Sequence, residues 1–100
     1  MNSASLEARL AALAAAGETT TYGQLARDLG LRMATLTAQL EALMQEDAAA
    51  RHPFRAALVN ARGRTLPALG FFAKAEALGQ DITDPVAFVA RHRELLFAGG

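Results

Sequence analysis

The side chains able to do chemistry are few and scattered. The two histidines, His52 and His92, lie far apart, and the chain has no cysteine. That excludes disulfides, thiolate nucleophiles and cysteine-bound zinc, and the carboxylates fall into no metal-ligand spacing. The only serines, Ser3 and Ser5, stand in a helix-capping context with no oriented base nearby. The glycines follow neither the P-loop nor the dinucleotide-binding order, and no motif sets two carboxylates to share acid and base roles. The expectation is a protein that is not an enzyme and that uses no metal and no cofactor.

Charge is more informative. The net charge is zero, which argues against indiscriminate polyanion binding. The distribution is uneven, however: no acidic residue falls between Asp47 and Glu76, whereas Arg51, Arg55, Arg62, Arg64 and Lys74 do, five of the ten Lys and Arg residues. Arginines without nearby carboxylates are suited to phosphate oxygens. His52, beside Arg51, adds a hydrogen-bonding group to this window, while His92, in helical register with Val89 and Leu96, reads as a packed histidine.

The elements that would position these arginines follow from periodicity. Ser3 or Ser5 would cap a first helix carrying Leu6, Leu10 and Leu13 on one stripe and ending at Gly17. Its apolar run from Leu10 to Ala16 is too short to cross a bilayer, and its helical register favours a core helix over a signal peptide. Thr19–Thr21 is extended, and Thr21 with Gln24 forms a capping-box pattern. Tyr22, Leu25, Ala26 and Leu29 make a short amphipathic helix, which Gly30 ends by taking positive φ; Leu31-Arg32 is the turn. A longer helix runs from about Met33 to Glu46, with Met33, Leu36, Leu40, Leu43 and Met44 on its apolar face. Short helix, tight turn, long helix is a helix-turn-helix pattern, here over about residues 21–46.

After Pro53 the texture changes. Residues 54–69 read as a hairpin: strand-compatible Phe54–Asn60, a turn at Arg62-Gly63-Arg64 and a return limb from Leu66. Such a hairpin behind a helix-turn-helix is a wing, with Arg55, Arg62 and Arg64 on it. Residues 70–98 would add a short helix ending at Gly79 and a last helix capped by Asp84-Pro85. Tyr22 reads as a half-core tyrosine whose hydroxyl reaches a polar edge. Of the adjacent Phe71 and Phe72, one is expected to face away from the core and be available to a protein partner. With 52% hydrophobic and 20% charged residues in 100, the chain is expected to fold as one domain, mainly α with a small β-hairpin: a winged helix-turn-helix with additional C-terminal helices.

The run Thr20-Thr21-Tyr22-Gly23-Gln24-Leu25-Ala26-Arg27-Asp28-Leu29-Gly30 resembles the start of the DNA-binding domain of alkylguanine-DNA alkyltransferases and alkyltransferase-like proteins. The likeness continues more weakly through His52-Pro53-Phe54-Arg55 and Gly70-Phe71 to about Gly79. It implies a winged helix and a surface for phosphates. Phe54 stands where the family's reactive cysteine would be, which removes the transfer chemistry, and Ala34 stands at the position of the arginine that props open the stack during base flipping. The chain as a whole also resembles small prokaryotic proteins of this general build.

The functional expectation is a cytoplasmic, non-enzymatic protein that binds duplex DNA. Arg51, Arg55, Arg62 and Arg64 would contact phosphates, and Arg32, Thr35 and Gln39 would be offered to the groove, Gln39 as an adenine reader. Glu41 would oppose phosphates near the same face. Either transcriptional regulation or recognition of altered DNA fits. The alternative is a protein-interaction module of the same fold, a homodimer through the first helix or a partner for another protein, with no membrane role.

Overall fold

The computed structural model describes residues 3–99. Helix α1 covers Ser3–Ala16, α2 Tyr22–Leu29, α3 Met33–Ala49, α4 Leu69–Ala77 and α5 Pro85–Gly99; a 3-10 helix occupies Arg55–Leu58. Two short strands, β1 (Thr20–Thr21) and β2 (Val59–Asn60), complete it. The protein is therefore mainly helical with a small β element, and α2 and α3 form the expected helix-turn-helix.

Backbone chemistry sets the boundaries. The hydroxyl of Thr21 accepts from the Gln24 amide at 3.1 Å, which supplies one half of the capping box; the Gln24 side chain turns instead to Asp28 at 2.8 Å. Helix α2 ends at Gly30, φ 66°, where the amides of Gly30 and Leu31 bond to Arg27 and Ala26 and satisfy carbonyls the helix would leave open. The Asp84 carboxylate caps α5 by accepting from Ala87 N at 3.1 Å, with Pro85 in the first helical position. Ser5 lies inside α1 and is not its cap; the segment before Ser3 lies outside the described residues.

One apolar core joins all five helices. Leu6, Leu10 and Leu13 of α1, Leu25 of α2, Leu36, Leu40, Leu43 and Met44 of α3, Val89 and Leu96 of α5 and the 3-10 segment Ala56–Leu58 are buried together. The 3-10 helix touches α1, α3 and α5 and so sits at the centre of the molecule. Met33, expected on the apolar stripe, is about half exposed; the stripe begins one turn later.

The expected hairpin is not formed. Strand β2 pairs parallel to β1, Thr20 with Val59 and Thr21 with Asn60, and the chain between them crosses over through α2, α3 and the 3-10 helix. Residues 54–58 are continuously buried, apart from the Arg55 side chain, and do not alternate as a half-exposed strand would. On the return side Pro67 has no N–H, and the amide of Ala68 is taken by the Tyr22 hydroxyl at 3.3 Å. What remains is a compact loop over residues 61–66, closed by Ala61 N to Leu66 O at 2.8 Å and Arg64 N to Ala61 O at 3.0 Å, with Gly63 at φ 71°.

Phe71 and Phe72 also differ from expectation, since both are buried. Their rings meet edge to face at 5.1 Å, and Phe71 continues to Phe54 at 6.1 Å, so α4 places two consecutive aromatics in the core by lying on it at its N-terminal half. No phenylalanine is left there for a partner.

Candidate nucleic-acid interface

The helix-turn-helix and the 61–66 loop flank one cleft of about 810 Å³. Its floor is mostly apolar, with Tyr22, Leu40, Met44 and Phe71 among the lining residues, while Arg27, Glu41 and Arg62 are its charged ones. Met33 and Thr37 bring the first half of α3 to one wall, and Ala61, Arg62 and Gly63 bring the loop to the other. Burial raises the Tyr22 hydroxyl above the usual tyrosine range, the bond from Ala68 opposing it in part, so Tyr22 stays neutral and serves as a fixed wall and hydrogen-bond acceptor.

The arginines assigned to phosphate contact divide into two sets. Arg62 and Arg64 are exposed at the loop tip and Arg32 precedes α3, and none of the three has an ion-pair partner among the described residues. Arg55 is different. Its Nε and Nη2 donate to Asp47 at 3.1 and 2.8 Å, its backbone N–H donates to the same carboxylate at 3.0 Å, and Glu7 and Glu46 lie at 3.8 and 3.9 Å. Hydrogen bonding to Asp47 raises the Arg55 pKa above its ordinary value. Arg55 is thus a structural cation, and the expectation that it reaches phosphate is corrected: the sequence window lacks acids, but folding brings three carboxylates to it from α1 and α3.

Groove readers are few. Thr35 is exposed on α3, as expected. Gln39 is half-buried with its Oε1 inside the protein and unbonded, so its amide is not presented for bidentate contact with adenine. Glu41 lines the cleft rather than the outer helix face. Arg51 lies past the end of α3, in another recess together with His52.

Three polar residues escaped the sequence reading. Asp47 continues the buried stripe of Leu36, Leu40, Leu43 and Met44, and its register alone would have placed it inside. Arg93 donates to Ala57 O at 2.8 Å, Thr65 O at 2.9 Å and the Asn60 side-chain oxygen, while Asn60 reaches Thr19 Oγ1 at 3.3 Å. Burial lowers the Arg93 pKa, and no carboxylate faces it among the described residues; it is held by carbonyls. Nothing in the local sequence marks Arg93 or Asn60 for this role. Together they pin both ends of the loop bearing Arg62 and Arg64 to α5.

His92 is packed as expected. Its Nδ1 accepts from Phe54 N at 2.8 Å, and its ring lies 4.4 Å from Phe88 and 5.1 Å from Phe54. Burial, with Arg91 adding repulsion, lowers its pKa from 6.5 and keeps it neutral. The three leucines of α1 are buried, so they are not free to pair with a second copy. Among the described residues no group of His, Asp and Glu is gathered that could hold a metal ion, and no helix is long and apolar enough to cross a membrane. Compared with known proteins, the chain matches no family, no curated protein and no solved structure.

Proposed function

We propose that this protein is a non-enzymatic, cytoplasmic binder of duplex DNA, which it meets with the first half of α3 and the 61–66 loop. The observation that carries the reading is the pair of unpartnered arginines, Arg62 and Arg64, on a loop that Arg93 and Asn60 hold beside α3. Arg32 is exposed immediately before α3, and its neighbour Met33 lines the wall of the cleft opposite the loop. Phosphates of the two strands can engage the two rims, while the loop needs little further ordering on binding. The resemblance of Thr20–Gly30 to alkyltransferase DNA-binding domains supports the same assignment.

Within this reading the cleft favours recognition of altered DNA over sequence-specific regulation. The outer face of α3 offers little beyond Arg32 and Thr35 to read base edges, whereas an apolar slot of about 810 Å³ between two DNA-facing rims has room for a base displaced from the stack. The Ala34 methyl is too short to fill the gap, so selectivity would fall on bases already weakly stacked. The test is fluorescence anisotropy with labelled duplexes, unmodified or carrying an O-alkylated guanine or a single-base bulge, at low and near-physiological salt. Salt-dependent binding that Arg62→Ala/Arg64→Ala weakens supports DNA as partner, and preference for the altered duplex supports the cleft. Equal affinity of wild type and double variant removes the loop from the interface.

A further inference from the structure

A second recess, of about 260 Å³, lies between the C-terminal end of α3 and α5. Arg51, His52, Gln80, Arg91 and His92 line it with the edge of Asp47. We propose that it is an anion site that takes a phosphate group, held by Arg51, Arg91 and the Nε2–H of His92.

The backbone at Arg51 supplies the first argument. Helices α1, α2, α3 and α4 all end in a similar hydrogen-bonded turn, in which a residue at or just past the cap adopts positive φ and two amides turn back on the last carbonyls. Three of these residues are glycines: Gly17 at 69°, Gly30 at 66° and Gly79 at 91°. The fourth is Arg51, at φ 57°, the only described non-glycine residue with positive φ. A side chain there is strained where glycine would not be, and this strained residue is one of those lining the recess.

Charge supplies the second. Arg51 and Arg91 have no ion-pair partner among the described residues. Asp47 is the one carboxylate lining the recess; its side chain is 3% exposed and its oxygens are taken by three donors of Arg55, with His52 Nδ1 at 3.6 Å. The recess is therefore polar and net positive. Because His92 Nδ1 accepts from Phe54 N, the neutral ring carries its proton on Nε2 and has a donor left over, as does the Gln80 amide. His52 Nδ1 is engaged with the Pro53 carbonyl at 2.7 Å, so His52 bounds the recess. Two guanidiniums and neutral N–H donors lining one recess are suited to the oxygens of a phosphate. The inference does not rest on the DNA reading, since the recess is at the other end of α3 from Arg32.

The experiment is a titration of the whole protein with inorganic phosphate, against chloride at matched ionic strength, followed by ¹H–¹⁵N NMR at the Arg51 and His52 amides and the His92 ring. Saturable shifts confined to these groups, with half-saturation at low-millimolar phosphate or below, are expected. Arg51→Gly, which keeps the positive φ and relieves the strain, should melt higher than wild type yet bind phosphate about tenfold more weakly; Arg91→Gln should weaken binding similarly. The same variants assayed on duplex DNA identify the source: weakened DNA binding makes it a backbone phosphate, and unchanged DNA binding a free phosphate ester. Shifts no larger than those with chloride, or equal in wild type and both variants, overturn the proposal.

Discussion

Replacing Asp47 by alanine isolates the interaction that removes Arg55 from the surface. The carboxylate is buried and receives the Arg55 side chain at 2.8 and 3.1 Å and its backbone amide at 3.0 Å. Removing one member of a buried pair costs about 3–5 kcal/mol, mostly through the charge left behind. Here the orphan would be a guanidinium that is 24% exposed and keeps Glu7 and Glu46 within 4 Å, so the lower end applies, about 3 kcal/mol. For a chain of this size that corresponds to a drop in Tm of roughly 12–24 °C. The reciprocal variant, Arg55→Met, strands a carboxylate only 3% exposed, with the Arg55 amide and His52 as its remaining neighbours, and must cost more. Urea denaturation followed by far-UV circular dichroism measures both. A loss below about 1 kcal/mol for Asp47→Ala, or a smaller loss for Arg55→Met than for Asp47→Ala, would refute the assignment of Arg55 as a structural cation.

Three further outcomes follow from the geometry. Arg62→Ala/Arg64→Ala should leave the melting curve unchanged and reduce the slope of log affinity against log salt by about 2 for a duplex, since each arginine neutralises one phosphate; an unchanged slope contradicts the loop contact. Stability should fall as pH drops below about 6.5, because burial depresses the His92 pKa and the unfolded chain takes up the proton first; above that pH the contribution is fully present. His92→Phe should flatten this dependence and, at neutral pH, cost about 1–3 kcal/mol by leaving the Phe54 N–H unpaired; a profile as steep as wild type would point to another group. Arg51→Gly should stabilise the protein by about 1 kcal/mol, read as a higher urea midpoint at unchanged m-value, and a lower midpoint would mean that the arginine contributes to the cap itself.

The helical parts were legible because their signals are local. Leucine spacing in α1, the Thr21 cap, Gly30 and the Asp84-Pro85 start each act within a turn of the residue concerned, and each is found where the pattern puts it. The β element was misread because residues 54–60 carry a composition that suits either a strand or a fully buried segment. What decides between them is the distant Thr20–Thr21, which offers an edge across a crossover of two helices. Arg55 failed for the same reason in electrostatic form: absence of acids nearby in sequence says nothing about Glu7, Glu46 and Asp47 arriving from other elements. Arg62 and Arg64 were easier, because a short loop bearing Gly63 at positive φ projects its neighbours outward whatever the strand pairing.

The division of labour among the arginines explains how a chain of zero net charge can present a basic face. Arg55 is neutralised inside by Asp47, and Arg9 by Asp28 at 2.9 Å on the surface, whereas Arg93 has carbonyls for partners and no acid among the described residues. Asp47 and Asp28 are thereby taken up away from the cleft, where Glu41 is the one lining carboxylate, and Arg62 and Arg64 have no ion-pair partner among the described residues on a loop whose position Arg93 sets. The Arg93 clamp links Ala57 in the central 3-10 helix, Asn60 in β2 and Thr65 at the far side of the loop through one guanidinium, which ties the loop to the core. Such anchoring would matter for the proposed DNA contact, which has few contributing side chains. Each loop arginine contributes on the order of 1 kcal/mol at most against screened phosphate, a gain that ordering a mobile loop would cancel at about 1–2 kcal/mol per residue. The part-buried polar network thereby spares the proposed contact an ordering cost larger than the gain from either loop arginine.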